Sequence, residues 1–239
     1  MELPEDVLSH LKWIAHFQQI IMLLNYYDGV PISHEAAVRS LDPPTVTLDV
    51  HPYQAVCLAL DGHTVIQSEP LALAVRTRVV SVDVVARTAS LTEFNPTTYT
   101  IRRRQSVRIE SNQPVDVELF VENRSLTGQL ENISPLGLSV SLPASQIFFD
   151  PWIVFQKDAA VRARLQLPQA ASPIELTGTI SHGLLRENHY VLGVHLSVEA
   201  DTQPVIQGYL MQRQAQAVQA LSVLYEQMRQ TQLAKRPPS

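Results

Sequence analysis

"IRRRQSVRIESNQPVDVELFV", residues 101–121, packs four arginines (Arg102, Arg103, Arg104 and Arg108) into seven positions. It then alternates Val115, Val117, Leu119 and Val121 against polar neighbours. A period of two marks a strand with one buried face, and the arginines stand directly in front of it. Four like charges repel one another, so the cluster costs stability unless something anionic or planar lies against it. The rest of the chain makes the cluster stand out, since the formal net charge is -5 and lysine occurs only three times. A guanidinium offers a planar fork that matches a phosphate or the O6/N7 edge of a guanine, which an ammonium does not. Arginines concentrated in one place on an acidic chain point to local recognition of an anion. They argue against a general nucleic-acid binder, which carries a basic surface.

On the C-terminal side, "LTGQLENI", "LGLSVSL", "VRARLQL", "IELTGTI" and "YVLGVHLSV" continue the strand pattern. In "VRARLQL" the alternation puts Arg162 and Arg164 on the exposed face. A last helix begins near "DTQP", where Asp201 or Thr202 can cap and Pro204 suits a first turn, and it runs to about Gln232. At about 45 Å it is longer than one small barrel can cover, so its distal part is expected to form a homodimer or engage a partner.

On the N-terminal side, "TVTLDVH", "AVCLAL", "LALAVRT" and "VVSVDVVA" read as short strands split by "DGH" and "SEP", and "EFNPTTYT" (93–100) reads as a linker. Before them, Leu8, Leu11, Ile14, Phe17, Ile21 and Leu24 recur at helical spacing. This predicts a helix over 4–27 stopped by Gly29, with a further turn or two in "SHEAAVRSLD" (33–42). The fold class that follows is mainly β with flanking helices: two small β-barrels, an N-terminal helix and a long C-terminal helix. The divisions expected are 1–95 for the first helix and barrel, 96–108 for a linker with the arginine motif, 109–200 for the second barrel, and 201–239 for the last helix and tail.

The bulk numbers bound the function. With 239 residues, 45% hydrophobic and 17% charged, this is an ordinary globular composition with room for two cores. The single cysteine, Cys57, forms no internal disulfide, which suits a reducing compartment. "WIAHFQQIIMLL" is twelve residues long, short of the roughly 20 needed to cross a bilayer, and the acidic "MELPEDVLSH" is not a secretory n-region. The expectation is a cytoplasmic protein without membrane insertion. None of the eight histidines has metal-ligand spacing, and there is no phosphate-binding glycine loop. No metal and no catalytic residue is expected, and the chain reads as a binding protein rather than an enzyme.

A second polar motif lies 24 residues beyond Arg108. In "ENISPLGLSV", Asn132 and Ser134 are two apart at the end of an apolar strand, and Gly137 closes the turn. Asn offers donor and acceptor and Ser a rotatable hydroxyl, which together can read a base edge. Gly137 permits positive φ or a close backbone approach. Taken alone this is ordinary turn chemistry.

Arg104-x-x-x-Arg108 leading into a strand, then Asn132-x-Ser134-x-x-Gly137, resembles the PilZ domain, the bacterial receptor for cyclic di-GMP. "VLGVHL" (191–196) and "VIQGYLMQRQ" (205–214) are similar to that family's last core strand and following helix. The resemblance implies cyclic di-GMP as ligand. It gives Arg104 and Arg108 the phosphates and guanine edges, Arg103 a stacking or phosphate contact, and Asn132, Ser134 and Gly137 the guanine-contacting turn. Arg102 is a further candidate. Asn132 stands where aspartate is common, Pro135 stiffens the turn, and His195 and Leu196 replace a more usual aromatic end. With a first barrel and an arginine-bearing linker, the architecture resembles the flagellar-brake type of PilZ protein. That implies an effector that changes its inter-domain arrangement on binding, to regulate motility, exopolysaccharide or biofilm output through a motor, synthase or regulator. The alternative within this architecture is a transcription regulator binding nucleic acid under cyclic di-GMP control.

Overall fold

The computed structural model describes residues 5–68, 73–97, 107–147, 156–168, 170–197 and 201–235. The chain divides into two compact units, one made of Met1–Tyr27, Pro31–Arg103 and Gln216–Ser239, the other of Asp28–Val30 and Arg104–Ala215.

The first unit carries α1 (Glu5–His16), β1 (Ile20–Tyr27), β2 (Val30–Asp42), β3 (Thr45–Val50), α2 (Pro52–Asp61), β4 (His63–Ser68), β5 (Leu73–Asp83) and β6 (Thr88–Thr97). The strands close into a barrel in the order β1-β2-β3-β6-β5-β4. Ile21, Leu23, Leu48 and Leu91 are fully buried in its core together with Ile14 of α1 and Leu58 of α2.

Five local expectations are corrected in this unit. The helix expected over 4–27 ends at His16, and Gln18, at φ 50, turns the chain into β1. In an apolar run such as "IIMLL" every frame satisfies helical spacing, so period cannot decide, and the isoleucines and tyrosines favour the strand. Gly29 caps no helix. Asp28 (φ 49) and Gly29 (φ 74) are the two residues between β1 and β2, and positive φ at both is what a two-residue hairpin turn of this kind requires. Residues 33–42 accordingly lie in β2. "AVCLAL" is helical, inside α2: the His51 ring accepts from the Tyr53 N–H at 3.2 Å, Pro52 occupies the first turn, and Gly62 (φ 67) donates its N–H to Leu58 O at 3.1 Å. The linker expected over 93–100 is strand up to Thr97, with Pro96 opposite Val75.

The second unit carries β7 (Ile109–Glu110), β8 (Asp116–Val121), β9 (Arg124–Ser134), β10 (Gly137–Pro143), α3 (Ala144–Ile147), β11 (Ala160–Leu165), β12 (Ile174–Arg186) and β13 (His189–Leu196). The sheet order is β10-β13-β12-β11-β8-β9-β7, and β9 also pairs with β10, which closes six of the strands into a ring. β9 achieves this by length: residues 124–129 pair with β8, while 129–134 pair with β10. Val161, Ala163 and Leu165 point into the core, and Arg162 and Arg164 face outward near Glu175 and Glu118 at 3.9 and 4.0 Å.

The last helix, α4 (Gln203–Lys235), contributes to both units. Ile206, Tyr209 and Leu210 are buried in the second. In the first, Tyr225 and Met228 pack against the barrel core, and Gln232 accepts from the Val84 N–H at 2.8 Å while donating to Val82 O at 3.1 Å. Of the apolar positions along this helix, Ala217, Leu221 and Met228 are therefore engaged within the fold, and Val218, Val223 and Leu233 are exposed. No helix among the described residues is long and apolar enough to cross a membrane.

Candidate functional site

β9 and β10 form a hairpin whose loop is only Pro135 and Leu136, so Ser134 stands opposite Gly137, Ile133 opposite Leu138, and Asn132 opposite Ser139. Alternation then puts Asn132, Ser134 and Ser139 on one face. β7 adds to the other edge of β9, with Ile109 opposite Ile133 and Glu110 opposite Asn132. Arg108, one residue before β7, is thereby delivered to the same hairpin. Its Nη1 donates to Ser139 Oγ at 3.0 Å and to Asn132 Oδ1 at a longer 3.4 Å. Its Nη2 lies 3.9 Å from where a Cβ on Gly137 would stand. Arg108 is half-buried and Ser139 is buried. The guanidinium is thus held on the hairpin, while the residue that carries it is only half-buried.

The turn itself is fastened from several sides. Ser134 Oγ donates to Gly137 O at 3.1 Å, Leu196 N donates to Leu136 O at 3.0 Å, and Gln203 Nε2, from the start of α4, donates to Pro135 O at 2.8 Å. Ser134 is spent on holding the turn and is buried at 2% exposure. Gly137 has no positive φ; it is needed because a Cβ there would sit 2.7 Å from Val194 O, a backbone atom that cannot move aside. Such a pre-fastened polar hairpin loses little order when it captures a ligand.

Of the residues singled out from the sequence, the structure gathers Arg108, Asn132, Ser134 and Gly137 at this hairpin. Arg102, Arg103 and Arg104 lie outside the described residues. Among the described residues, no group of three or more His, Cys, Asp or Glu is placed to hold a metal ion.

The sequence profile of the PilZ domain matches residues 102–212, beginning at the arginine cluster and ending in α4. Residues 102–212 are a PilZ domain. No curated protein matches the chain significantly. Among solved structures, the chain is similar to MrkH of K. pneumonia in its c-di-GMP complex, at 10% identity and a TM-score of 0.46, covering 90% of this chain and 95% of that one. It is similar to YcgR from Escherichia coli in complex with c-di-GMP, at 13% identity and 0.41, covering 91% and 93%. It is also similar to the Bacillus subtilis inhibitor of motility MotI/DgrA, at 15% and 0.42, covering 82% and 96%. At such identities and scores the likeness transfers no residue's role and no partner.

Sequence reasoning missed one member of the PilZ-domain hairpin, Ser139, whose hydroxyl makes the shorter bond to Arg108. A signal for it existed. Once Pro135 and Leu136 are taken as a two-residue loop, pairing places 139 opposite 132, on the face of the motif's asparagine.

Proposed function

We propose that the PilZ domain of this chain is a receptor for cyclic di-GMP. Arg108, Asn132 and the turn closed by Ser134 and Gly137 form one wall of the site, and Arg103 and Arg104, with Arg102 beside them, supply the remaining cations. The observation that carries this reading is the Arg108 guanidinium fixed between Ser139 and Asn132 on the face of the hairpin that bears the motif's polar side chains. A cyclic dinucleotide offers two phosphates and two guanine edges, each matched by the fork of an arginine. Membership of residues 102–212 in the PilZ domain supports the choice of ligand.

Binding recruits Arg102, Arg103 and Arg104, which lie on the chain segment joining the two units, to the ligand held at Arg108, and so changes the arrangement of the units. The protein acts as an effector in motility, exopolysaccharide or biofilm control through a downstream protein, by binding and without chemistry. Titration of the purified chain with cyclic di-GMP tests this. Saturable binding that GMP does not compete away, and that weakens only modestly with salt, supports it. Absence of saturable binding contradicts it. Affinity for DNA that falls steeply with salt identifies a polynucleotide-binding protein instead.

A further inference from the structure

We propose that the outer face of the first unit formed by the end of α1, the start of β1 and the neighbouring strands β2 and β3 is a self-association surface, and that its occupant is a second copy of this chain. Three large apolar side chains are exposed there in close succession: Trp13 at 41%, Phe17 at 53% and Ile20 at 53%. The Trp13 and Phe17 rings pack on each other at 5.0 Å without being covered. Ile20 also lines an open groove of about 400 Å³, together with Ala36, Ala37 and Ala86 and the charged Glu35, Arg39, Asp49 and Arg87. Apolar surface left bare beside a groove lined by small residues marks a contact surface.

The charges of the groove select the occupant. Arg39 and Asp49 neutralise each other at 2.8 Å. The side chains of Glu35 and Arg87, on the same groove, make no hydrogen bond and no ion pair with a carboxylate or guanidinium among the described residues, and Arg87 lies beside the His51 ring. A surface with one free carboxylate and one free guanidinium is complementary to itself. Under a two-fold axis Glu35 of one protomer meets Arg87 of its partner, the reciprocal contact forms by symmetry, and the aromatic residues of both copies meet beside them. A ligand of one charge would leave the other group unmatched. An anionic membrane would be repelled by Glu35. A copy of the same surface satisfies both charges and the apolar rim at once.

Sedimentation equilibrium of the full chain across the micromolar range tests the proposal, using the natural sequence, Glu35→Arg, Arg87→Glu, and the two changes combined. The natural chain is expected to form a reversible dimer. Each single reversal places like charges in contact and raises the dissociation constant about tenfold or more. The combined reversal restores association towards the natural value. A chain that stays monomeric at every concentration overturns the proposal. So does a dimer indifferent to the single reversals, or a combined variant as weak as the singles. All four proteins are checked by thermal melting. Should a reversal melt early, Glu35→Ala and Arg87→Ala replace it: a weakened dimer supports the surface and an unchanged dimer overturns it.

Discussion

Replacing Ser139 by alanine removes the 3.0 Å hydrogen bond that the Arg108 guanidinium donates to it, which is shorter than the 3.4 Å contact with Asn132. The second distance is beyond the usual range for N–H···O, so the contact with Asn132 is the weaker of the two. A hydrogen bond to a charged donor contributes about 1.5–3 kcal/mol. Arg108 is only half-buried, so water recovers part of that when the hydroxyl is removed, and the net loss is about 1 kcal/mol. Serine and alanine are close in size and Ser139 is 3% exposed, so no cavity of consequence opens. The expected result is a roughly fivefold weaker affinity for cyclic di-GMP, measured by calorimetric titration, with fold stability lowered by about 1 kcal/mol or less. Because Ser139 acts through Arg108, the effect depends on Arg108 being present. In a double-mutant cycle, Arg108→Ala with Ser139→Ala binds no more weakly than Arg108→Ala alone. Strict additivity of the two losses would refute this reasoning, and so would natural affinity in Ser139→Ala.

Gly137→Ala forces a Cβ to within 2.7 Å of Val194 O, and overpacking of this kind costs about 1–3 kcal/mol, read as a lower denaturant midpoint at unchanged slope. In the first unit, His34 and His51 stack at 3.7 Å, and both take up a proton less readily than a free imidazole. Burial is the main cause for each, followed by His51 beside His34 and Arg87 beside His51. The stability they contribute is therefore complete above the ordinary value of 6.5 and is lost as the pH falls through the lowered folded-state values, so the melting temperature should drop on that acid limb and drop less in a His34→Gln variant. Burial, with Asp61 nearby, pushes the Cys57 thiol up to about 12. It should resist alkylation at pH 8 in the folded protein and react promptly in denaturant, and equal rates in both would contradict its burial.

The gathering of Arg108, Asn132, Ser134 and Gly137 on one hairpin was legible in the sequence because it is written in residue types at fixed spacing. Ser139 was not, since a serine two residues past the turn is unremarkable until the register is counted. The alternating strands of the second unit, such as 115–121 and 161–165, were equally plain because each buries only one face. The first unit was harder. "IIMLLNYY" is almost uniformly apolar, and its period is ambiguous; the Asp28-Gly29 pair behind it was the deciding hairpin signal and outweighed any helical reading. "AVCLAL" misled in the other direction: its helix is declared by His51-Pro52 before it and Gly62 after it, outside the apolar run. The distal part of α4 was opaque because its partners, the barrel core and the backbone of Val82, Val84 and Val85, lie some 150 positions earlier in the chain.

The central claim is that an arginine fixed on the β9–β10 hairpin captures a cyclic dinucleotide. Calorimetric titration of cyclic di-GMP into the natural chain and into Arg108→Ala, with both proteins shown to melt alike, measures it directly. Saturable heat for the natural chain and an affinity at least about thirtyfold lower for the variant, a loss on the order of 2 kcal/mol, is the expected outcome. Equal affinities, or no binding by the natural chain, would contradict it.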